Sequence, residues 1–203
     1  IPARASTGQE QELCGELLDP HLAHSAICKR GPARMRPHRH MAAAPAECLR
    51  QAGAEIVLER TVIELAQRQE EGTIREAVLD FFVLFPGSTS PYYIDVTIRC
   101  PHAVRYPATA TTPGFAAAQG VSQKAERYGS QVIAIAIETY GRLASASITG
   151  LEFLAACAAD QLKDRWAAPR LLPEWMDNMS RAVIFATADV DLICLGGAAA
   201  SEM

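Results

Sequence analysis

Apolar residues Met41, Ala44, Cys48, Leu49 and Ala52 fall on one face at helical spacing, and Gly53 follows as a C-terminal stop. Residues 55–59 predict a short strand, and residues 60–69 either continue it or coil into a polar linker. Two longer aromatic and β-branched runs follow at residues 77–85 and 92–98. The segment between them, Pro86-Gly87-Ser88-Thr89-Ser90-Pro91, predicts a hairpin loop. Residues 113–128 are Ala-rich and predict a helix ending near Gly129. Residues 132–137 are apolar without alternation, the pattern of a strand covered on both faces. Helices predicted over residues 151–166 and 174–192 close the pattern, the second with Pro173 in its first turn and Gly196-Gly197 beyond its end.

This order predicts an α/β fold with a mixed four-stranded sheet flanked by helices. The first three strands can meander, while the fourth needs a helical crossover. Trp166 and Trp175 are expected to fill the interface between the terminal helices and the sheet. Residues 1–12 are polar and expected to be disordered. Residues 13–40 show little periodicity but gather Cys14, His21, His24, Cys28, His38 and His40 with three prolines, which reads as a loop-rich appendage. The organisation is thus an appendage at 13–40, a core at 41–145, C-terminal helices at 146–195 and a tail at 196–203.

Composition narrows the class. With 203 residues, 49% hydrophobic and 21% charged, the chain suits one ordinary domain and excludes collagen-like, disulfide-dense and fully disordered proteins. No apolar stretch approaches the roughly 20 residues of a spanning helix, so no membrane association is expected. The first residues offer neither Met nor the apolar core of a signal peptide, which predicts a fragment of a longer, non-secreted protein, nuclear or cytoplasmic. The net charge of −4 does not announce a nucleic-acid binder. Its distribution says more: residues 20–46 hold no acid, while Lys29, Arg30, Arg34, Arg36 and Arg39 are basic, leaving about −9 on the remainder, so a basic patch, or else an ordinary solvated basic loop, adjoins an acidic body. The six cysteines are widely spaced, and reduced thiols with no structural disulfide are expected.

Asp80 and Asp95 interrupt the two hairpin strands with 14 residues between them, so a hairpin can bring both to one end of the sheet. Ionised carboxylates are rarely buried unless paired or metal-bound. Two close together repel unless a cation lies between them, and oxygen-rich sites suit Mg²⁺. Either the pair forms such a site, or each aspartate lies at a strand end facing water.

Asp80 on its apolar strand, Ile94-Asp95-Val96-Thr97-Ile98, a helix with Lys124 and Tyr128, and Ile135-Ala136-Ile137-Glu138-Thr139-Tyr140-Gly141-Arg142 follow one another in a characteristic order. That order resembles the restriction-like endonuclease domain that follows the reverse transcriptase in site-specific non-LTR retrotransposons, a branch of the PD-(D/E)XK nuclease superfamily. The resemblance extends upstream to Cys14-Gly15, His24, Cys28, Gly31 and Arg36-Pro37-His38, where the family has a small Cys/His zinc motif. Downstream it reaches Trp166, Trp175-Met176 and Ser180-Arg181-Ala182-Val183, covering about residues 12–195. Two departures stand out. Leu79-Asp80 replaces the family's Pro-Asp, and Thr97 occupies the strand position where the superfamily usually has its lysine. This family supplies that lysine from the following helix, and Lys124 matches it.

The resemblance implies a restriction-endonuclease-like core and metal-dependent cutting of DNA. Asp80 and Asp95 would hold Mg²⁺ or Mn²⁺, with Lys124 beside the activated water or the developing charge. Glu47 or Glu59 is a candidate third carboxylate, and Tyr128 a supporting residue. Glu138 and Arg142 would pair near the site or at an exposed strand end. Cys14, His24 and Cys28, with His38 among the candidates for a fourth ligand, offer the ligand types of structural Zn²⁺. The family's second Cys position is Glu12 here. Lys29, Arg30, Arg34, Arg36 and Arg39 would contact DNA phosphates. Implied partners are the target DNA and the reverse transcriptase domain of the same polyprotein. The nick would expose the 3′-hydroxyl that primes reverse transcription. The alternative is a degenerate or repurposed copy that only binds nucleic acid or protein.

Overall fold

A computed structural model describes residues 2–4, 13–17, 35–68, 73–164 and 166–199. In chain order the elements are β1 (Pro2–Arg4), β2 (Leu13–Leu17), α1 (Met35–Gln51), β3 (Glu55–Thr61), β4 (Gln67–Arg68), β5 (Ile74–Arg75) and β6 (Val78–Leu84). They continue with β7 (Tyr92–Arg99), α2 (Phe115–Tyr128), β8 (Val132–Glu138), α3 (Ser145–Leu162) and α4 (Ala167–Ala199). The fold is α/β. Its mixed sheet has the order β3-β6-β7-β8, antiparallel across the first two junctions and parallel across the last. Helix α2 makes the crossover that a parallel neighbour requires.

Side-chain alternation divides the sheet's residues between two faces. Phe81, Val83, Ile94, Val96, Ile135 and Ile137 point into the main core, where they meet Met41 and Leu49 of α1, Leu151 and Leu154 of α3, and Trp175, Met179 and Val183 of α4. The other face is covered by α2 through Ala117 and Val121, which pack with Ala136. Gly120 makes that approach close: a Cβ there would lie 3.0 Å from Thr97 Cγ2 and 3.3 Å from Ala136 Cβ. At the outer edge of β8, Ser147 of α3 accepts the Ala136 N–H at 2.8 Å and donates to the Ala134 carbonyl at 2.9 Å. Among the described residues no helix is long and apolar enough to cross a membrane.

Several boundaries differ from the sequence reading. Residues 2–4, expected to be disordered, form a strand paired antiparallel with β2. Helix α1 begins at Met35, so residues 35–40 belong to a core helix rather than to a loop appendage. Pro37 is its third residue, where the missing N–H would have no intrahelical partner anyway. Helix α3 starts at Ser145, well before residue 151. Helix α4 starts at Ala167, enclosing Pro173 and running through Gly196-Gly197. The burial of Trp175, Met179 and Val183 holds the helix across the hydrogen bond that Pro173 cannot make. Trp175 is buried as expected, but Trp166 is exposed, because the chain turns between α3 and α4 where it stands.

Candidate active site

Backbone pairing between β6 and β7 ends at Phe81 and Ile94. One step further in the same register Asp80 stands opposite Asp95, and there the ladder opens. The Val96 N–H donates to Asp80 Oδ2 at 2.6 Å instead of to a strand carbonyl. The Val96 carbonyl faces His38 Nε2 of α1 at 3.2 Å, and the same nitrogen lies 3.5 Å from Asp80 Oδ1. From the other face, Lys124 of α2 donates from Nζ to Asp95 Oδ2 at 2.6 Å. Three elements thus converge on two carboxylates at one opening in the sheet.

The electrostatics follow from this placement. Asp95 is only 4% exposed, and its charge is met by Lys124. Burial, with the Asp95 carboxylate adding to it, pushes the Asp80 carboxyl up to about 6, against the opposing pull of His38 and the Val96 N–H. With both acids ionised, Asp80, Asp95 and Lys124 carry one uncompensated negative charge. Such a pair suits a hard divalent cation, which commonly takes one or two carboxylates and completes its shell with water and phosphate oxygens. Among the described residues no group of three or more His, Cys, Asp or Glu is set to hold a metal ion. An ion here would therefore rest on two protein carboxylates.

Tyr128, one turn after Lys124, is buried, and its ring lies 5.9 Å from Lys124 Nζ and 4.7 Å from Arg127 Cζ. Burial, and then the Asp95 charge, raise its phenol above the ordinary value. Glu138 is also buried and accepts the Ala116 N–H through Oε1 at 3.2 Å, so its carboxylate sits at the N-terminus of α2. Arg142 meets Glu138 through its backbone carbonyl, which accepts the Glu138 N–H at 2.8 Å. Glu138 therefore positions the helix that carries Lys124, and its side chain is not part of an exposed strand-end pair.

Other expectations need correction. Glu47 is exposed on α1, where Arg50 and Gln51 bond its carboxylate and hold it below the usual range. Glu59 lies across from Asp80 in the β3–β6 register, but it is exposed, and its left-handed backbone (φ +47°) interrupts the ladder. Neither adds a third carboxylate to the pair. His38, read as a candidate zinc ligand, turns instead toward Asp80, because α1 begins early enough to carry it to the sheet. His24, Cys28, Lys29, Arg30 and Arg34 lie outside the described residues, as do the side chains of Cys14 and Arg36. Arg39 is exposed on α1.

The structure brings together Asp80, Asp95 and Lys124, as the sequence leads one to expect, and adds His38, expected there only as a zinc candidate, to their setting. The available signal was its place one turn before Met41, on the helix face that packs against the sheet. Compared with known proteins, the chain matches no family model and no curated protein.

Proposed function

We propose that this chain is a metal-dependent DNA endonuclease domain with a restriction-endonuclease-like core, of the kind found beside the reverse transcriptase of non-LTR retrotransposons. The observation that carries the reading is the meeting of Asp80, Asp95 and Lys124, with Lys124 Nζ 2.6 Å from Asp95 Oδ2 across 29 residues of sequence. When bound by Asp80 and Asp95, a divalent ion supplies a Lewis acid for the scissile phosphate and lowers the pKa of water. The chain's own residues do the rest. Asp80 is held by the Val96 N–H in the opening between β6 and β7, so its carboxylate is oriented before substrate arrives. Lys124 keeps a compact positive charge at the same point, suited to a phosphate oxygen or the charge that develops on it. Tyr128 walls the site beneath that ammonium.

The partners on this reading are target DNA, met by the basic residues at 29–39, and a reverse transcriptase domain that would use the nick. The test is incubation of supercoiled plasmid with the protein and Mg²⁺. Conversion to the open circular form is expected for the parent and not for Asp95→Ala, which should still bind DNA. Equal nicking by parent and Asp95→Ala rejects the assigned site. DNA retention without nicking by the parent favours the binding-only reading.

A further inference from the structure

The opening of the β6–β7 ladder leaves both backbone groups of Val96 to be met by side chains. The N–H goes to Asp80 Oδ2 and the carbonyl to His38 Nε2. A carbonyl oxygen only accepts, so Nε2 carries a proton whether the ring is neutral or charged. That N–H also faces Asp80 Oδ1 at 3.5 Å, too long for a strong hydrogen bond but close enough for electrostatic attraction. A protonated Nε2 has no lone pair to give a metal. His38 is therefore a donor placed between two oxygens, and it stands on a helix anchored by Met41 and Leu49, both fully buried against the sheet.

We propose that His38 is a positioning residue for the acid pair: its Nε2–H bridges the Val96 carbonyl of β7 and Asp80 Oδ1 of β6 and so fixes the face that Asp80 turns toward a divalent ion. This rests on the endonuclease reading for its purpose but not for its test. Groups that orient metal ligands commonly matter almost as much as the ligands themselves. Through His38, α1, on the far side of the sheet from α2, reaches the Asp80 carboxylate.

The test compares His38→Gln, which keeps an N–H donor at similar reach without a ring, with His38→Leu, which fills the space without a donor. In calorimetric titrations of the whole chain with Mn²⁺, His38→Leu should bind about tenfold more weakly than the parent and His38→Gln within about twofold of it. The Val96 amide resonance should move in the Leu variant and stay near its parent position in the Gln variant. Plasmid nicking should follow the same order in kcat, with KM for DNA unchanged. Equal Mn²⁺ affinity in all three proteins overturns the proposal. So does a Gln variant as weak as the Leu variant, since the ring rather than its N–H would then be required. Should His38→Leu fail to fold, His38→Ala takes its place as the variant without a donor, with the same roughly tenfold loss expected and the same outcomes overturning the proposal. A parent that shows the Mn²⁺ ordering but never nicks supports the role of His38 and rejects the endonuclease reading. Nicking with no ordering does the reverse.

Discussion

Thr97 lies directly beneath Gly120, so that a methyl group added to the glycine would sit 3.0 Å from Thr97 Cγ2 and 3.1 Å from Arg99 Nε. The contact bears on why a helix rather than a strand brings a lysine to Asp95. A strand lysine at residue 97 would need the space that the backbone of α2 occupies, while Lys124, one turn beyond Gly120, is carried over the carboxylates by that same approach. Gly120→Ala gains up to about 1 kcal/mol in helix propensity. It loses about 1–3 kcal/mol to overpacking. The expected result is a net loss of stability in urea denaturation, with nicking reduced further than stability alone accounts for.

Lys124→Ala should lower the nicking rate about 100-fold or more, the scale for removing one preorganised electrostatic stabiliser. Adding Thr97→Lys to that variant should not restore the rate and should destabilise the fold, because the position is buried under α2. Single-turnover cleavage and thermal melts of both proteins check this. A restored rate would mean that the strand position can serve.

The raised pKa of Asp80 gives a pH dependence with a definite sign. Its folded value of about 6 exceeds the ordinary 3.8, so between these values the folded protein binds more protons than the unfolded chain. Stability should therefore fall as pH rises from about 4 through about 6 and level off above, the direction that linkage requires. Asp80→Asn should lack this decline and be the more stable protein at pH 8 by up to about 3 kcal/mol, two pKa units' worth. Denaturant curves at pH 4, 6 and 8 would show it. Divalent-ion binding should move oppositely, weakening as pH drops through 6, because proton and ion compete for the same carboxylate.

Glu138→Ala removes the carboxylate from the N-terminus of α2 and should cost about 1 kcal/mol, as for loss of a helix cap. Amide exchange should quicken first at Ala116 and Ala117 while the β7–β8 pairing stays protected. Glu138→Gln, which keeps an acceptor for the Ala116 N–H, should recover most of the loss. Uniform exchange along α2 in the Ala variant would contradict the capping role.

Much of the fold was legible because strands β6, β7 and β8 carry their burial as apolar runs, into which Asp80 and Asp95 intrude as charges. Those two interruptions were readable for the same reason, since a charge within an apolar strand needs a partner. The helix starts were not. His38 in α1 and Ser147 in α3 both lie on faces that pack inward, yet both are polar, so the apolar periodicity begins a turn or more after the helix does. Glu138 stands in the motif that ends β8, but its contact depends on where α2 begins in space, which the strand's own sequence does not encode.

The two outer strands of the sheet are closed to further growth in different ways. Along β8, Ser147 engages Ala134 and Ala136, Ala144 donates to the Ala136 carbonyl, and Arg142 and Gly141 take the two backbone groups of Glu138. Along β3, the left-handed turn of backbone at Glu59 breaks the flat run of amides midway. A neighbouring copy or an extended peptide thus meets no long unbroken template on either flank. In a concentrated solution the protein should resist strand-to-strand association, and a Glu59 replacement that flattens β3 would be the first change to forfeit that protection.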